Sequence, residues 1–182
     1  MQASGKHTIY TIGHSTHSLD DFLNILQDFN IKNLVDVRSF PGSNKFPQFN
    51  KENLKISLEE HTINYIHLRD LGGRRKVQKD SKNSRWHNDS FRGYADYMET
   101  EDFKKAITEL ENIALKQTTA YMCSEAVWWR CHRSMISDYL KARSWTVLHI
   151  MAIGKAEEHP YTSPARVVND RVFYYDENLF NQ

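Results

Sequence analysis

Short apolar runs punctuate this chain at regular intervals. Five runs rich in β-branched and aromatic residues predict strands, which are Thr8–Ile12, Asn33–Val37, Ile63–Leu68, Thr118–Cys123 and Trp145–Ile150. Polar or glycine-containing segments follow the first four of these runs, as expected where a strand ends in a turn or loop. The pattern therefore predicts a sheet of five strands.

Apolar residues at helical spacing separate the predicted strands. The corresponding helices are predicted to begin near Ser18, Asn50, Phe91, Thr100 and Arg130. Ser18 is followed by Asp21, a variant of the capping box, and the last helix is expected to run from about Arg130 to Lys141. Because strands alternate with helices, we expect right-handed crossover connections and a mostly parallel sheet.

These elements predict one α/β domain over residues 1–182. Its sheet is expected to be open and mostly parallel, with helices on both faces, as in a Rossmann-like three-layer sandwich. The segment Val172–Tyr175 is predicted either as an edge strand or as a docked extension. Only the segment Arg74–Asn88 lacks a clear repeat of apolar positions, and we predict that it is a loosely ordered loop.

Composition is ordinary for a globular protein, with 40% hydrophobic and 26% charged residues, so a real core is expected. Two cysteines are too few for a disulfide scaffold, and the N-terminus does not resemble a signal peptide. No apolar run approaches the roughly 18 residues that span a membrane. We therefore expect a cytoplasmic protein that has no membrane partner.

Charge is unevenly distributed although the net charge is only +1. The stretch from Arg69 to Arg92 holds eight Lys/Arg against three Asp, a local excess of five positive charges. This excess indicates a small anionic ligand, or contact with DNA or RNA. A solvated, mobile loop is an equally good interpretation of the same stretch.

Polar and titratable residues follow four consecutive predicted strands. In an open parallel sheet, ligands bind beyond the carboxyl ends of the strands, so these residues are expected to share one site. The strand-end candidates are Gly13, His14, Ser15, Thr16, His17, Asp36, Arg38, Ser39, Arg69, Asp70, Gly72, Gly73, Arg74, Cys123, Ser124 and Glu125. The glycine-containing loop before the first helix also suits an anion, because free N–H groups point outward at a helix N-terminus.

Cys123 is the candidate nucleophile. It ends a strand before a helix, where N–H groups and Arg130 or Arg133 would lower the pKa of a thiol. The alternative is a buried cysteine that only ends the strand. Cys131 is predicted to be a packed core thiol. The spacing of these residues matches no standard zinc pattern, so neither a metal nor another cofactor is expected.

Three further residues complete the candidate machinery. Glu125 is a candidate general base, or else the partner of an arginine. His132 is a candidate for proton transfer together with His14, or a side chain that bonds a loop carbonyl. Trp128 is a candidate for stacking on a base or ring, although packing explains it equally well.

Seven ordered strings resemble a family known only as domain-of-unknown-function family 488. They are Thr11-Ile-Gly-His-Ser15, Leu34-Val-Asp-Val-Arg38, Leu71-Gly-Gly73, Tyr94-Ala-Asp-Tyr-Met98, Met122-Cys-Ser-Glu125, Cys131-His-Arg133 and His149-Ile150. The resemblance covers about residues 8–150, which leaves about 151–182 as a C-terminal extension. Ser124 and the double tryptophan depart from the family pattern, and the family name implies no activity.

A weaker likeness is to rhodanese-like and cysteine-phosphatase domains, which also place a cysteine between a strand and a helix. Here six residues separate Cys123 from Arg130, and the glycine-rich character of those loops is missing. Sulfur transfer and phosphate hydrolysis are therefore not carried over.

The leading functional hypothesis is an enzyme that acts on a small anionic or nucleotide-like substrate, as a Cys-dependent hydrolase or transferase. In this hypothesis Arg38, Arg130 and Arg133 hold the negative charge of the substrate. The first alternative is a protein that binds nucleic acid or processes bases through its basic stretch. The second is a ligand sensor without catalysis. The sequence leaves the substrate and the oligomeric state open.

Overall fold

The structure is a computed structural model that describes residues 7–176. Residues 1–6 of the predicted domain, and residues 177–182 of its predicted extension, lie outside this range. The strands are β1 (Thr8–Gly13), β2 (Asn33–Asp36), β3 (Asn64–His67), β4 (Thr119–Cys123), β5 (Thr146–Ala152), β6 (Lys155–Glu158), β7 (Arg166–Val168) and β8 (Arg171–Phe173). The helices are α1 (Leu19–Asp28), α2 (Lys51–Glu60), α3 (Asp89–Met98), α4 (Glu101–Lys116) and α5 (Arg133–Ala142).

Six strands form one sheet in the order β3-β2-β4-β1-β5-β6. The first five pair in parallel, and β6 pairs antiparallel with β5 at the edge. The prediction of an open, mostly parallel α/β sheet is confirmed. Strands β2, β4 and β1 lie side by side, so their carboxyl ends meet at one rim.

Helices cover both faces of the sheet, and β4 shows why. Its residues are all buried and alternate between two cores, with Tyr121 and Cys123 in one and Ala120 and Met122 in the other. Helices α1 and α2 pack on the second core, whereas α3, α4 and α5 pack on the first. A strand that is apolar on both sides needs a helix layer on each face to exclude water.

Side-chain caps fix where three of the helices begin. Ser18 accepts a hydrogen bond from the backbone N–H of Asp21 at 3.1 Å, and its hydroxyl donates to the Asp21 carboxylate at 2.7 Å. Thr100 caps α4 in the predicted way, and Asn88 caps α3. Asn50 precedes α2, but its side chain accepts from the backbone N–H of Ser43 instead.

The segment between β4 and α5 differs from its prediction. Trp128–Arg130 form a single 3₁₀ turn and Cys131 is extended, so α5 begins at Arg133 rather than near Arg130. The consequence is a loop of irregular backbone between Cys123 and α5, which we call the cysteine loop (residues 124–132).

Of the two predictions for Val172–Tyr175, the structure agrees with the docked extension. The sheet ends at β6, whereas Arg171–Phe173 pairs only with β7 in a separate hairpin, so the tail is docked rather than added to the sheet. Within residues 7–176, no helix has the length and apolar character needed to cross a membrane.

The predicted loose segment Arg74–Asn88 has irregular backbone, but it is tied to α3. The carboxylate of Asp96 accepts hydrogen bonds from the backbone N–H of Gln78 and from the side chains of Ser81 and Asn83. These bonds replace the missing secondary structure as the constraint on its path.

Candidate active site

A cleft of about 400 Å³ opens at the carboxyl ends of β2 and β4, which is a suitable size for a small ligand. Its walls come from the loops after β2 and β3, the start of α3 and the cysteine loop. Six of the predicted site residues line it, namely Arg38, Gly73, Cys123, Glu125, Arg130 and His132. The structure therefore brings residues from three strand ends into one cleft.

Other predicted residues lie nearby without lining this cleft. His14 and Asp36 are buried behind Arg38, and Arg69 lines an adjoining cavity. Ser15 donates its backbone N–H to the carbonyl of Ser124. Gly72 packs so closely on Ser39 that a side chain would collide with it, so it shapes the wall.

Arg38 and Asp36 form a buried ion pair. Nη2 of Arg38 lies 2.6 Å from the Asp36 carboxylate, and its Nε donates to the same group at 2.9 Å. Tyr65 adds a third donor to that carboxylate at 2.7 Å, and Arg38 also donates to the carbonyl of Phe49. Since the charge of Arg38 is neutralised by Asp36, it is not free to hold a second anion.

His14 serves this ion pair rather than the cleft. Its Nε2 lies 3.3 Å from Nη1 of Arg38, and arginine can only donate, so Nε2 accepts and Nδ1 donates to the carbonyl of Ser15. Burial and the Arg38 charge lower the pKa of His14 to about 4. The ring of His14 also stacks on that of Phe49, with the ring centroids 4.3 Å apart. The role of His14 is therefore structural.

The two cysteines and His132 meet at the floor of the cleft. The ligand atoms of Cys123, Cys131 and His132 all lie within 4.8 Å of one another. Both thiols are buried and free, and Sγ of Cys131 lies 3.6 Å from Nδ1 of His132. Cys131 belongs to the core, as predicted, yet it also lines the cleft.

The environments of the two thiols differ. The hydrogen bond with Cys131 and burial raise the pKa of Cys123. Burial opposes the charged form of Cys131 as well, but the hydrogen bond from Cys123 and the charge of Arg133 lower its pKa below the ordinary value. The prediction that neighbouring arginines lower the pKa of Cys123 is therefore wrong, because Cys131 receives that effect.

Arg133 anchors the cysteine loop from the buried side of that loop. It is 2% exposed, and it donates to Oγ1 of Thr11 at 2.8 Å and to the carbonyl of Glu125 at 2.7 Å. That carbonyl also packs against Gly13, where any side chain would collide with it. Arg133 is thus a positioning residue, and its buried guanidinium does not reach into the cleft.

Apart from Arg38, three charged residues that line the cleft are not committed to ion pairs. In the part of the chain that the structure describes, Glu125, Arg74 and Arg130 are exposed and form no ion pair. The alternative that Glu125 pairs with an arginine is therefore not observed. Two cations and one carboxylate remain available to a ligand.

A second cavity adjoins the cleft and shares three residues with it. Ser39, Phe40 and Arg74 line both, and the second cavity adds Arg69 and Arg75 among others. The ring of Phe40 is 61% exposed, and the guanidinium carbons of Arg69 and Arg74 lie 5.6 and 5.5 Å from its centroid. This aromatic ring is therefore a surface that a planar ligand can stack on.

Trp128 packs on a buried polar chain instead of facing the cleft. Its ring stacks on His149 at 4.4 Å, and Nε2 of His149 lies 2.8 Å from Nδ1 of His159. Nε2 of His159 lies 2.9 Å from Oδ1 of Asp138. The predicted stacking of Trp128 on a base is thereby replaced by stacking on a histidine of the core.

The glycine-containing loop before α1 is less suited to an anion than predicted. The backbone N–H groups of His14 and Ser15 donate to the carbonyls of Cys123 and Ser124, and Ser18 caps the helix. Asp20 and Asp21 add negative charge to the first turn. These N–H groups hold the cysteine loop.

Sequence reasoning missed part of the cleft. The lining residues without a prediction are Phe40, Asn88, Ser90 and Phe91, and Cys131 was expected only in the core. Ser39, Arg74 and Ser124 line the cleft at the strand ends where the sequence placed them. Asn88, Ser90 and Phe91 reach the cleft through the path of the irregular segment, which leaves no periodic signal.

Comparisons with known proteins agree with the resemblance seen in the sequence. A family model described as "Domain of unknown function DUF488" matches residues 18–140. Neither the curated proteins nor the solved structures gave a significant match.

Proposed function

This chain belongs to the family of domain of unknown function DUF488, whose description names no activity, and we propose that it is an enzyme acting on a small anionic substrate. The observation that carries the proposal is the convergence, in one cleft, of Cys123, Cys131 and His132 with Glu125 and unpaired cations. Thiols, an imidazole and a carboxylate are the groups that activate nucleophiles and transfer protons.

Arg74 and Arg130 are the residues that hold the anion in this proposal. Both line the cleft, are exposed and lack an ion pair within the described residues, whereas Arg38 is already neutralised by Asp36. A guanidinium binds phosphate or carboxylate through two parallel N–H bonds, which suits a small ligand with a terminal anionic group. Phe40 supports a planar, nucleotide-like substrate.

Glu125 is the proton-transfer group, and the cysteine pair and His132 form the reactive floor. Glu125 is exposed at the cleft wall, so a substrate can reach its carboxylate without displacing a structural partner. Both thiols are buried and His132 is partly buried, yet all three line the same cleft, which limits the access of bulk water to the reacting atoms. This arrangement supports a Cys-dependent hydrolase or transferase.

The proposed compartment is the cytoplasm. Cys123 and Cys131 are free although they lie close together, and thiols stay reduced in the cytosol.

Turnover and binding should be measured with a panel of phosphate esters and nucleotides. We expect a member of the panel to be consumed, and Glu125→Gln to lower turnover by about 100-fold while binding is retained, since general acid–base catalysis typically contributes 10²–10⁴. The Arg74→Gln/Arg130→Gln double variant should weaken binding by at least about tenfold.

Arg166→Gln is the matched control for the arginine variants. Arg166 lies in β7, and its guanidinium donates only to the carbonyl of its own neighbour, Ala165, among the hydrogen bonds found. Unchanged binding in the Arg74→Gln/Arg130→Gln protein would refute the anion site. Binding without any turnover would instead make the protein a ligand sensor.

The second cavity favours one alternative, which is contact with nucleic acid. Arg69 and Arg74 lie over Phe40 there, next to the cleft, as contact with a chain of phosphates would require. The rest of the basic stretch contributes less, because Lys82 pairs with Glu99 and other arginines bond the protein's own groups. Steeply salt-dependent binding of oligonucleotides would favour this function over a small substrate.

A further inference from the structure

The floor of the cleft gathers three side chains whose atoms bind metal ions. The donor atoms of Cys123, Cys131 and His132 lie within 4.8 Å of one another, and Sγ of Cys131 lies 3.6 Å from Nδ1 of His132. In a tetrahedral zinc site, bonds of about 2.3 Å to sulfur and 2.0 Å to nitrogen put neighbouring donors about 3.5–3.8 Å apart. The observed spacing therefore needs a contraction of at most about 1 Å to hold an ion.

The ring of His132 presents the correct nitrogen. Its Nε2 lies 3.2 Å from the carbonyl oxygen of Val37. A carbonyl can only accept, so Nε2 carries the proton of the neutral ring and Nδ1 directs its lone pair at Cys131. Metal-bound histidines typically donate their other N–H to a carbonyl in this way, which fixes both the tautomer and the orientation.

Gly73 and Tyr94 hold that ring in place. A Cβ at position 73 would lie 2.5 Å from Nδ1 of His132, so glycine is what allows the ring to approach this wall. Tyr94 packs its ring edge-on at 5.2 Å, and its hydroxyl donates to the carbonyl of Leu71. The imidazole is thus positioned by its neighbours before any ion binds.

We propose that Cys123, Cys131 and His132 bind a zinc ion, with its fourth coordination position open to the cleft. Two sulfurs and one imidazole nitrogen form a donor set that suits zinc, and three protein ligands with one open position are typical of catalytic rather than structural sites. In the zinc-loaded protein the thiols are metal ligands, so the proposed enzyme depends on its cysteines through the ion that they hold and not through a free thiol nucleophile. An anionic oxygen of the substrate, or a water molecule, is a suitable fourth donor.

The proposal that a metal binds here depends only on the geometry of the donor atoms. A catalytic role for the ion depends also on the proposed function. The spacing in the sequence does not indicate this site, because seven residues lie between the two cysteines and the chain contains no C-x₂-C unit. The cysteine loop brings them together by folding back over the end of β1.

Cobalt(II) is a direct probe, because thiolate ligands give it a charge-transfer absorption in the near ultraviolet and tetrahedral coordination gives it intense visible bands. The full-length protein is reduced, stripped with a chelator and titrated. We expect both absorptions to saturate at one equivalent, and zinc to abolish them by displacement. Absence of the charge-transfer band in the wild-type protein overturns the proposal without recourse to any variant.

Cys123→Ser, Cys131→Ser and His132→Gln should each weaken cobalt binding by about 100-fold, since each removes a direct ligand. His61→Gln is the control, because His61 lies at the far end of α2 and bonds only its own helix. Undiminished binding in Cys131→Ser would also refute the site. Anion binding is measured separately on the stripped and the zinc-loaded protein. A protein that takes up cobalt but neither binds nor turns over any anion keeps the metal site and loses the proposed function.

Discussion

His149 is part of a buried chain of three polar side chains whose protons are fixed by the hydrogen bonds when both rings are neutral. Asp138 accepts from Thr162 and Tyr174 as well as from His159, so Nε2 of His159 donates, and in the neutral ring its Nδ1 is then the acceptor. Nε2 of His149 then donates to it, which leaves Nδ1 of His149 an unprotonated acceptor without a partner among the described residues.

Protonation of His149 is therefore coupled to unfolding. Burial, then the neighbouring His159 and Arg133, lower its pKa from 6.5 to about 2. Below pH 6.5 the unfolded chain binds a proton at His149 that the folded protein does not bind. The free energy of unfolding therefore falls as the pH falls. We expect His149→Phe to make the slope of that free energy between pH 6 and 5 shallower by roughly 1 kcal/mol per pH unit.

Urea denaturation at several pH values measures this slope. Leu140→Ala is the control, because it removes buried packing from the same region without changing a titrating group, so its curve should be lower but parallel to that of the wild type. Equal slopes for His149→Phe and the wild type would contradict the assignment.

Residue roles were the hardest feature to predict from the sequence. Arg38 and Arg130 both follow a strand end, but only the fold shows that Arg38 pairs with Asp36 and the Phe49 carbonyl while Arg130 forms no ion pair among the described residues. Arg133 differs again, since it is buried beneath the loop that it supports. The sequence specifies residue type and approximate place, whereas charge pairing depends on contacts between distant segments.

Elements were predicted better than residues, because strand and helix periods are local properties. The exceptions are β6 and the cysteine loop. Lys155–Glu158 is charged and short, as edge strands often are, so it carries no apolar period. The loop is shaped by Gly13 and Arg133, which contact it across the sheet, and no local pattern encodes those contacts.

Gly13→Ala tests the packing of β1 against the cysteine loop. A Cβ there would collide with the carbonyl oxygen of Glu125, so either backbone must move. We expect the free energy of unfolding to drop by about 2 kcal/mol or more, and the cleft to bind its ligand more weakly. Denaturation and ligand titration measure the two effects.

Gly42→Ala is the matched control, because a Cβ at that position meets no atom within 4 Å. It should leave the protein as stable as the wild type or stabilise it by up to about 1 kcal/mol. A Gly13→Ala protein that is equally stable would show that the loop does not rest on β1 as described.

At the scale of the whole molecule, the matched family range and the sheet do not coincide. Residues 18–140 include β2, β3 and β4, whereas β1 and β5 lie outside them. Yet β1 is hydrogen bonded between β4 and β5 near the centre of the sheet. The described tail is also attached to this unit, since Tyr174 and Thr162 donate to Asp138 of α5.

This architecture explains why a ligand is expected at one place. The ends of β2 and β4 converge beside the cysteine loop, and the cations that remain unpaired face the same opening. A separate cavity of similar volume, about 430 Å³, lies among α3, α4, α5 and β8 and contains neither cysteine. It shares no lining residue with the cleft, so reporters on each can distinguish them.

Backbone amide shifts during titration with a nucleoside monophosphate distinguish them most directly. We expect the largest changes at Gly73, Ser124 and Glu125 in the wild-type protein, and their loss in the Arg74→Gln/Arg130→Gln double variant. Changes centred on Asn83 and Val172 of the other cavity, or no changes at millimolar ligand, would contradict the assignment of the cleft as the ligand site.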